Sequence, residues 1–305
     1  MKYCAIFVAF GICASMLCGC ETIYNPATGR NETIFIGTAQ EVAIGKSMAG
    51  QVGTQFRISR DPQRIQKVQG IGRAIAVVSD RTDLEYHFSV IDDKEINAFA
   101  VPGGYIYVYS GLMDIATDDE LACVVAHEVG HIAARHSVKQ MQAQLGYEIL
   151  MSLIFRDKGS ADLAKAVNVA FGVVSLGYSR EDELLADKLG VKYAYRAHYN
   201  PRAMITFLEK LRKEENKTLA MNFEVLRSHP NIDHRIANVE AALREYAPGA
   251  RSVTAQTGSA VIYPARTENL AARSENLKFC PKCGRTYKGN YLFCTYDGTK
   301  LKEKQ

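Results

Sequence analysis

The residues best suited to chemistry are His127, Glu128 and His131, in the run His127-Glu128-Val129-Gly130-His131. The histidines stand at i and i+4, about one helical turn apart. Both imidazoles then leave the same side of a helix, and one metal ion can take a nitrogen from each. Glu128 sits about a third of a turn away, so it reaches a water beside the metal instead of the metal itself. That is the place of a general base in metal-assisted hydrolysis. A pair of surface histidines on a helix would have the same spacing. However, the residues before the motif, Leu121 to Ala126, are apolar almost all round. The polar trio therefore lies in a mostly buried element, where unpaired His and Glu are costly. A metal would satisfy them.

A third ligand has to come from elsewhere in the chain. Ala134 and Ser137 stand where a metzincin would carry its glycine and third histidine, and His136 is out of register by one. His136 is read as a structural residue or an outer hydrogen-bond partner. The stretch Ser179-Arg180-Glu181-Asp182-Glu183-Leu184-Leu185-Ala186-Asp187 is the best source. Ser179 and Asp182 have N-cap spacing, which opens a helix. On it Glu183 and Asp187 share a face one turn apart, so one can bind the metal while the other orients a ligating histidine. Glu181 and Asp182 are explained by the helix dipole alone. Two histidines and one carboxylate leave a fourth position for water.

The elements that would position these residues can be read along the chain. Thr117-Asp118-Asp119-Glu120 has capping-box spacing and starts the helix that carries the motif. Ahead of it lie two helical stretches, Ala39 to about Phe56 and Asp61 to Ser79. Strands follow at Glu85 to Ile91 and Tyr105 to Ser110, where β-branched and aromatic residues alternate. Helices dominate from Asp118 to about Arg244. Leu145 to Phe155 and Ala161 to Gly177 read as core helices, the first too short and the second too charged to cross a bilayer. The fold class is α+β, mostly helical, with a small sheet beside the motif helix.

The N-terminal residues 1–19 read as a signal peptide, with Lys2 before an apolar run. Leu17-Cys18-Gly19-Cys20 is similar to a bacterial lipobox, with Cys20 as the lipidated residue. An ordinary secretory signal or an uncleaved helix is the alternative. Glu21 to Thr38 reads as a tether. The net charge of +4 is dispersed over 305 residues, which argues against a nucleic-acid partner.

With these segments in place, the chain resembles the gluzincin metallopeptidases of the CAAX prenyl endopeptidase type. Within them it is most like the bacterial periplasmic lipoproteins related to the beta-barrel assembly-enhancing protease. The motif helix, Ser179-Arg180 and Glu183 to Asp187 carry the likeness. So do Asn25 to Arg30, Asn97-Ala98-Phe99-Ala100-Val101-Pro102-Gly103-Gly104, and Ser228-His229-Pro230 with Arg235. The resemblance implies a catalytic zinc held by His127, His131 and Glu183, with Glu128 as base and Asp187 as support behind a ligand. Asn97, Ala98, Phe99 and Ala100 would form the sheet edge onto which a substrate peptide adds. His229 and Arg235 are candidates for stabilising the oxyanion, and His229 alternatively closes the zinc as a fourth ligand.

The peptidase domain is thus expected over residues 20–246, followed by a linker at 247–278 rich in Ser, Thr, Ala, Gly and Pro. Residues 279–305 read as a zinc-ribbon-like module. Its ligands would be Cys280, Cys283, Cys294 and Asp297 around a second, structural zinc, with one disulfide plus a free thiol as the competing reading. Larger members of the family carry a helical-repeat domain after the peptidase instead. The expected activity is that of a zinc metalloendopeptidase of misfolded or unassembled envelope proteins. Its expected place is the periplasmic face of the bacterial envelope, held by the lipid, with the outer membrane favoured. The alternative is a lipid-anchored chaperone or binding protein with a latent zinc site.

Overall fold

The computed structural model describes residues 21–146, 149, 161–217, 229, 231–248 and short stretches between 277 and 303. Cys20 and the signal region lie outside the described residues, as do Cys280, Cys283, Cys294, Asp297 and most of the segment from Leu145 to Phe155.

The expected tether is instead a β-hairpin, β1 (Glu21–Asn25) paired antiparallel with β2 (Arg30–Ile34). Its turn closes through side chains. Asn25 Oδ1 accepts the Ala27 N–H at 3.0 Å, and Gly29 takes the left-handed conformation with φ 67°. Such an Asx turn reverses the chain locally and lets its flanks pair. A tether expectation misses this pairing because the reversal is made by the Asn25 side chain and Gly29, not by an extended apolar alternation.

Two helices follow, α1 (Thr38–Gln55) and α2 (Pro62–Ala76). Asp61 caps α2 by accepting the N–H groups of Gln63 and Arg64, and Pro62 suits the first turn, where no N–H donor is needed. Strands β3 (His87–Ile91), β4 (Ala98–Val101) and β5 (Tyr105–Tyr109) form a sheet in the order β3-β5-β4. β3 runs parallel to β5, and β4 antiparallel, leaving β4 at an edge. The turn between β4 and β5 rests on Gly103 and Gly104, with φ 77° and 97°. A Cβ on Gly104 would also lie 2.4 Å from the Glu85 carbonyl oxygen, so glycine is required there twice over.

The remaining helices are α3 (Ser110–Ile115), α4 (Asp118–Ala133), α5 (His136–Gln144), α6 (Ala161–Val174), α7 (Arg180–Arg196), α8 (Ala203–Lys217) and α9 (Ile232–Tyr246). A separate antiparallel sheet is formed by β6 (Leu277–Phe279), β7 (Thr286–Lys288) and β8 (Lys302–Glu303). The chain is α+β and mostly helical. Among the described residues no helix is long and apolar enough to cross a membrane.

The pleat of the sheet divides the core in two. Ala98, Ala100, Ile106 and Val108 face α2, α4, α7, α8 and α9. Phe99, Val101, Tyr107 and Tyr109 face the other way, into a second cluster with residues of α1, α5 and α6. The motif helix α4 lies against the first face, and thirteen of its sixteen residues are buried.

Candidate active site

Helix α4 begins with the capping box its sequence predicts. Thr117 Oγ1 accepts the Glu120 N–H at 3.3 Å, and Glu120 Oε2 accepts the Thr117 N–H at 2.8 Å. Glu120 is tied further to Thr206 and Lys210 of α8. Ser179 caps α7 by accepting the Asp182 N–H. Helices α4 and α7 pack at Gly130, where a Cβ would stand 3.0 Å from the Ala186 carbonyl oxygen. That close crossing sets His127 and His131 of one helix against Glu183 and Asp187 of the other.

The four side chains His127, His131, Glu183 and His229 converge, with ligand atoms all within 4.8 Å of one another and every residue buried. His127 Nε2 and His131 Nε2 are 2.9 Å apart. Glu183 Oε1 lies 3.4 Å from His131 Nε2 and 2.8 Å from His229 Nδ1, and His229 Nδ1 lies 3.4 Å from His127 Nε2. A tetrahedron with bonds of roughly 2.0 Å has edges of about 3.3 Å. The observed spacings bracket that value, so the donor set fits a zinc ion. Glu183 Oε2 and Glu128 Oε2 are buried without a hydrogen-bond partner, which a cation beside them would relieve.

The outward nitrogens of both motif histidines are occupied, which leaves their Nε2 atoms directed at the cluster. His127 Nδ1 is 2.9 Å from Asp187 Oδ1. His131 Nδ1 is 2.9 Å from His136 Nδ1, and His136 Nε2 faces Asp182 Oδ1 at 3.2 Å. A ligating His131 carries its proton on Nδ1 and donates it to His136 Nδ1, which leaves the His136 proton on Nε2, buried without a hydrogen-bond acceptor among the described residues. Asp187 in turn receives two charge-assisted hydrogen bonds from Arg235, from Nε at 2.9 Å and from Nη2 at 2.7 Å. The third nitrogen, Nη1, is 3.5 Å from both Glu183 Oε2 and the His229 carbonyl.

The charges of the site follow from these contacts. Burial alone would raise the Glu183 carboxyl, but His229 and Arg235 outweigh it and hold Glu183 well below the usual carboxylate range. Asp187 is likewise lowered, against burial, by Arg235 and His127. Glu128 is raised because burial outweighs the pull of His229 and His127. Burial pushes His131 down to about 3, which keeps its imidazole neutral and free to ligate.

The site residues read from α4 and α7, namely His127, Glu128, His131, Glu183 and Asp187, are brought to one place, together with His229 and Arg235, which the resemblance supplied and which are distant in sequence. The edge strand lies beside them, with Asn97 buried and its Oδ1 unpaired. Two features escape a sequence reading. Tyr178 stacks on His131 with ring centroids 4.0 Å apart, and its hydroxyl lies 2.7 Å from Ser137 Oγ. Its only linear signal is its position next to the Ser179 cap. Buried Glu41 of α1 accepts from Arg81 and from the Gly103 N–H, and pairs with Arg135 just beyond α4. It thereby ties the β4–β5 turn to the end of the motif helix. Nothing in the sequence singles out Glu41 from other helical carboxylates.

The chain matches the family described as Peptidase family M48 over residues 62–243. It is similar to the beta-barrel assembly-enhancing protease of Escherichia coli (strain K12), 28% identical over 241 residues, covering 75% of this chain and 48% of that protein. It is also similar to the mitochondrial metalloendopeptidase OMA1 of Schizosaccharomyces pombe, 29% identical over 204 residues, covering 66% of this chain and 59% of that one. OMA1 of Arabidopsis thaliana is 32% identical over 173 residues, covering 56% and 34%. The chain thus spans about half the length of the first of these relatives. The matched region takes in α4, α7, His229 and Arg235 and more than half of the sequence, and on that footing the chain belongs to peptidase family M48.

Proposed function

We propose that this protein is a zinc-dependent metalloendopeptidase acting on misfolded or unassembled proteins of the bacterial cell envelope. The observation that carries the chemistry is the buried cluster of His127, His131, Glu183 and His229 beside a carboxylate, Glu128, whose Oε2 has no partner. The three ligands of the zinc would be His127, His131 and Glu183, with Asp187 and His136 holding the two imidazoles in the ligating tautomer. When bound, zinc supplies Lewis acidity to a peptide carbonyl and acidifies a water.

The protein's own groups do the rest. Glu128 accepts the proton of the attacking water at Oε2 and delivers it to the leaving amine. Its burial makes it a stronger base than an exposed glutamate. His229 is assigned as donor to the developing oxyanion, with Nε2 3.7 Å from Glu128 Oε1. Its Nδ1 among the ligand atoms equally supports a resting form in which His229 fills the fourth position. Arg235 supplies positive charge from behind Asp187 and Glu183.

The substrate and location are carried to this chain by its likeness to the Escherichia coli protein whose name describes a protease that enhances beta-barrel assembly. The lipid anchor at Cys20, the periplasmic face, the 20–246 domain limits and a second zinc on Cys280, Cys283, Cys294 and Asp297 belong to the same proposal.

The test is cleavage of an unfolded protein by the zinc-loaded chain and by Glu128→Gln, with zinc content measured in both. Cleavage by the parent and a loss of about 10²–10⁴-fold in the variant at equal zinc is expected. Equal inactivity at full zinc occupancy would favour the binding-protein reading, and His229→Ala would then decide whether a latent site had been closed by that histidine.

A further inference from the structure

The register of β4 determines where the side chains of an added strand fall. The Tyr109 N–H donates to the Asn97 carbonyl at 3.0 Å, and Phe99 and Val101 stand opposite Tyr107 and Tyr105. Residues 97, 99 and 101 therefore form the hydrogen-bonded pairs of this antiparallel ladder, and the backbone groups of Ala98 and Ala100 point to the open edge. A strand laid on that edge sends successive side chains to opposite faces of the sheet.

The two faces offer very different space. On the α4 face, Ala98, Val124, Met204 and Leu208 line a cavity of about 30 Å³. On the opposite face lies a cavity of about 240 Å³, walled by Phe56, Phe99, Tyr109, Phe171 and Val174, with Tyr178 at its inner end. Both cavities reach Glu128 and His229. The larger one has a set shape, because its rings pack on one another. Phe99 lies 6.1 Å from Phe56 and 6.5 Å from Phe171 between centroids, the latter pair edge to face. An apolar cavity of roughly 150 Å³ is enough to take benzene. Protein interiors are otherwise close-packed, so an aromatic-lined space of this size that opens on the candidate catalytic carboxylate is unusual without an occupant.

We propose that this cavity is a specificity subsite that admits one large apolar or aromatic side chain of the substrate, next to the bond to be cleaved. The inference rests on the peptidase reading above. It deepens that reading by naming the substrate class: extended segments carrying a residue of the kind that folded proteins bury. The outer wall comes from Phe56 at the end of α1 and from Phe171 and Val174 of α6, elements that supply none of the groups around the metal position. Selectivity is thereby separable from chemistry.

The experiment uses the full chain loaded with zinc and two readouts. Mass spectrometry of the fragments of an unfolded protein should show Phe, Tyr, Leu or Met enriched at one fixed position beside the cut. Fluorescence anisotropy with Glu128→Gln should show tighter binding of a labelled peptide carrying Phe at that position than of its Ala counterpart. Val174→Phe, which fills the cavity, should lower kcat/KM for the Phe peptide relative to the Ala peptide by roughly tenfold or more. Phe171→Ala, which opens it, should move preference toward Trp. Cleavage by the parent without enrichment overturns the proposal, as does an unchanged profile in a variant that melts at the parental temperature. If Val174→Phe does not fold, Phe171→Ala decides. A parent that cleaves nothing, while Glu128→Gln still binds Phe over Ala, defeats the peptidase reading and leaves the subsite standing.

Discussion

Asp187 and Arg235 matter at the site through the groups they hold. Asp187 is fully buried, accepts twice from Arg235 and contacts His127 Nδ1, so its charge is shared by a ligand and a guanidinium. Asp187→Asn keeps an acceptor but removes that charge, and should weaken zinc binding by about 10–100-fold in a chelator competition. Removing the other partner is more damaging to the fold. Arg235→Met leaves the buried Asp187 carboxylate without its cation and with the His127 imidazole as its remaining partner, and a loss of about 3–5 kcal/mol is expected in denaturant unfolding. Cys123 presents the opposite case, a nucleophile type without nucleophilic character. Burial pushes its thiol up, and it hydrogen-bonds to the Asn200 carbonyl. It should stay unmodified when the native protein is treated with iodoacetamide, as peptide mapping would reveal.

Among elements, the crossing of α4 and α7 is what turns two sequence motifs into one cluster. The helices approach so closely at Gly130 that a Cβ there would sit 3.0 Å from backbone. Gly130→Leu cannot be absorbed by a flexible neighbour, because the obstacle is the Ala186 carbonyl. The helices must then separate, carrying His127 and His131 away from Glu183. Zinc affinity and melting temperature should both fall, with stability reduced by about 1–3 kcal/mol or more. A preserved zinc affinity in a folded Gly130→Leu protein would remove the crossing from the account. The hairpin β1–β2 carries a different lesson. Its pairing depends on the Asn25 turn and on Asn25 Nδ2 donating to Glu32 at 3.0 Å, side-chain contacts that leave no periodic trace in the sequence.

For the molecule as a whole, pH dependence follows from carboxylates that the fold holds ionised. Glu120 joins the start of α4 to α8. Burial would raise its carboxyl, but the Lys210 ammonium and the Thr117 N–H outweigh this and lower it from 4.5. Glu32 is lowered in the same way by Lys139 and Asn25, against burial. A lowered folded pKa means that the folded state binds fewer protons than the unfolded state near pH 4. The stabilisation is complete above about 4.5 and is lost as pH falls through the folded values. The melting temperature should therefore drop on acidification below about pH 4.5, and Glu120→Gln should reduce that drop while lowering stability at pH 7.

The local features are legible in the sequence: the capping box of α4 and the Ser179 cap of α7, the one-turn spacing of His127 and His131, the shared face of Glu183 and Asp187, and the alternation of the strands. These depend on neighbours within one or two turns, and helical and strand periodicity express them directly. Family likeness brought in His229, Arg235 and the edge strand, whose contacts span tens of residues. The remaining features arise from tertiary docking. Tyr178 over His131, Glu41 bridging the β4–β5 turn to α4, and the aromatic cavity behind Phe99 all depend on how elements dock. Docking is determined by packing between surfaces distant in sequence, and that packing has no period along the chain.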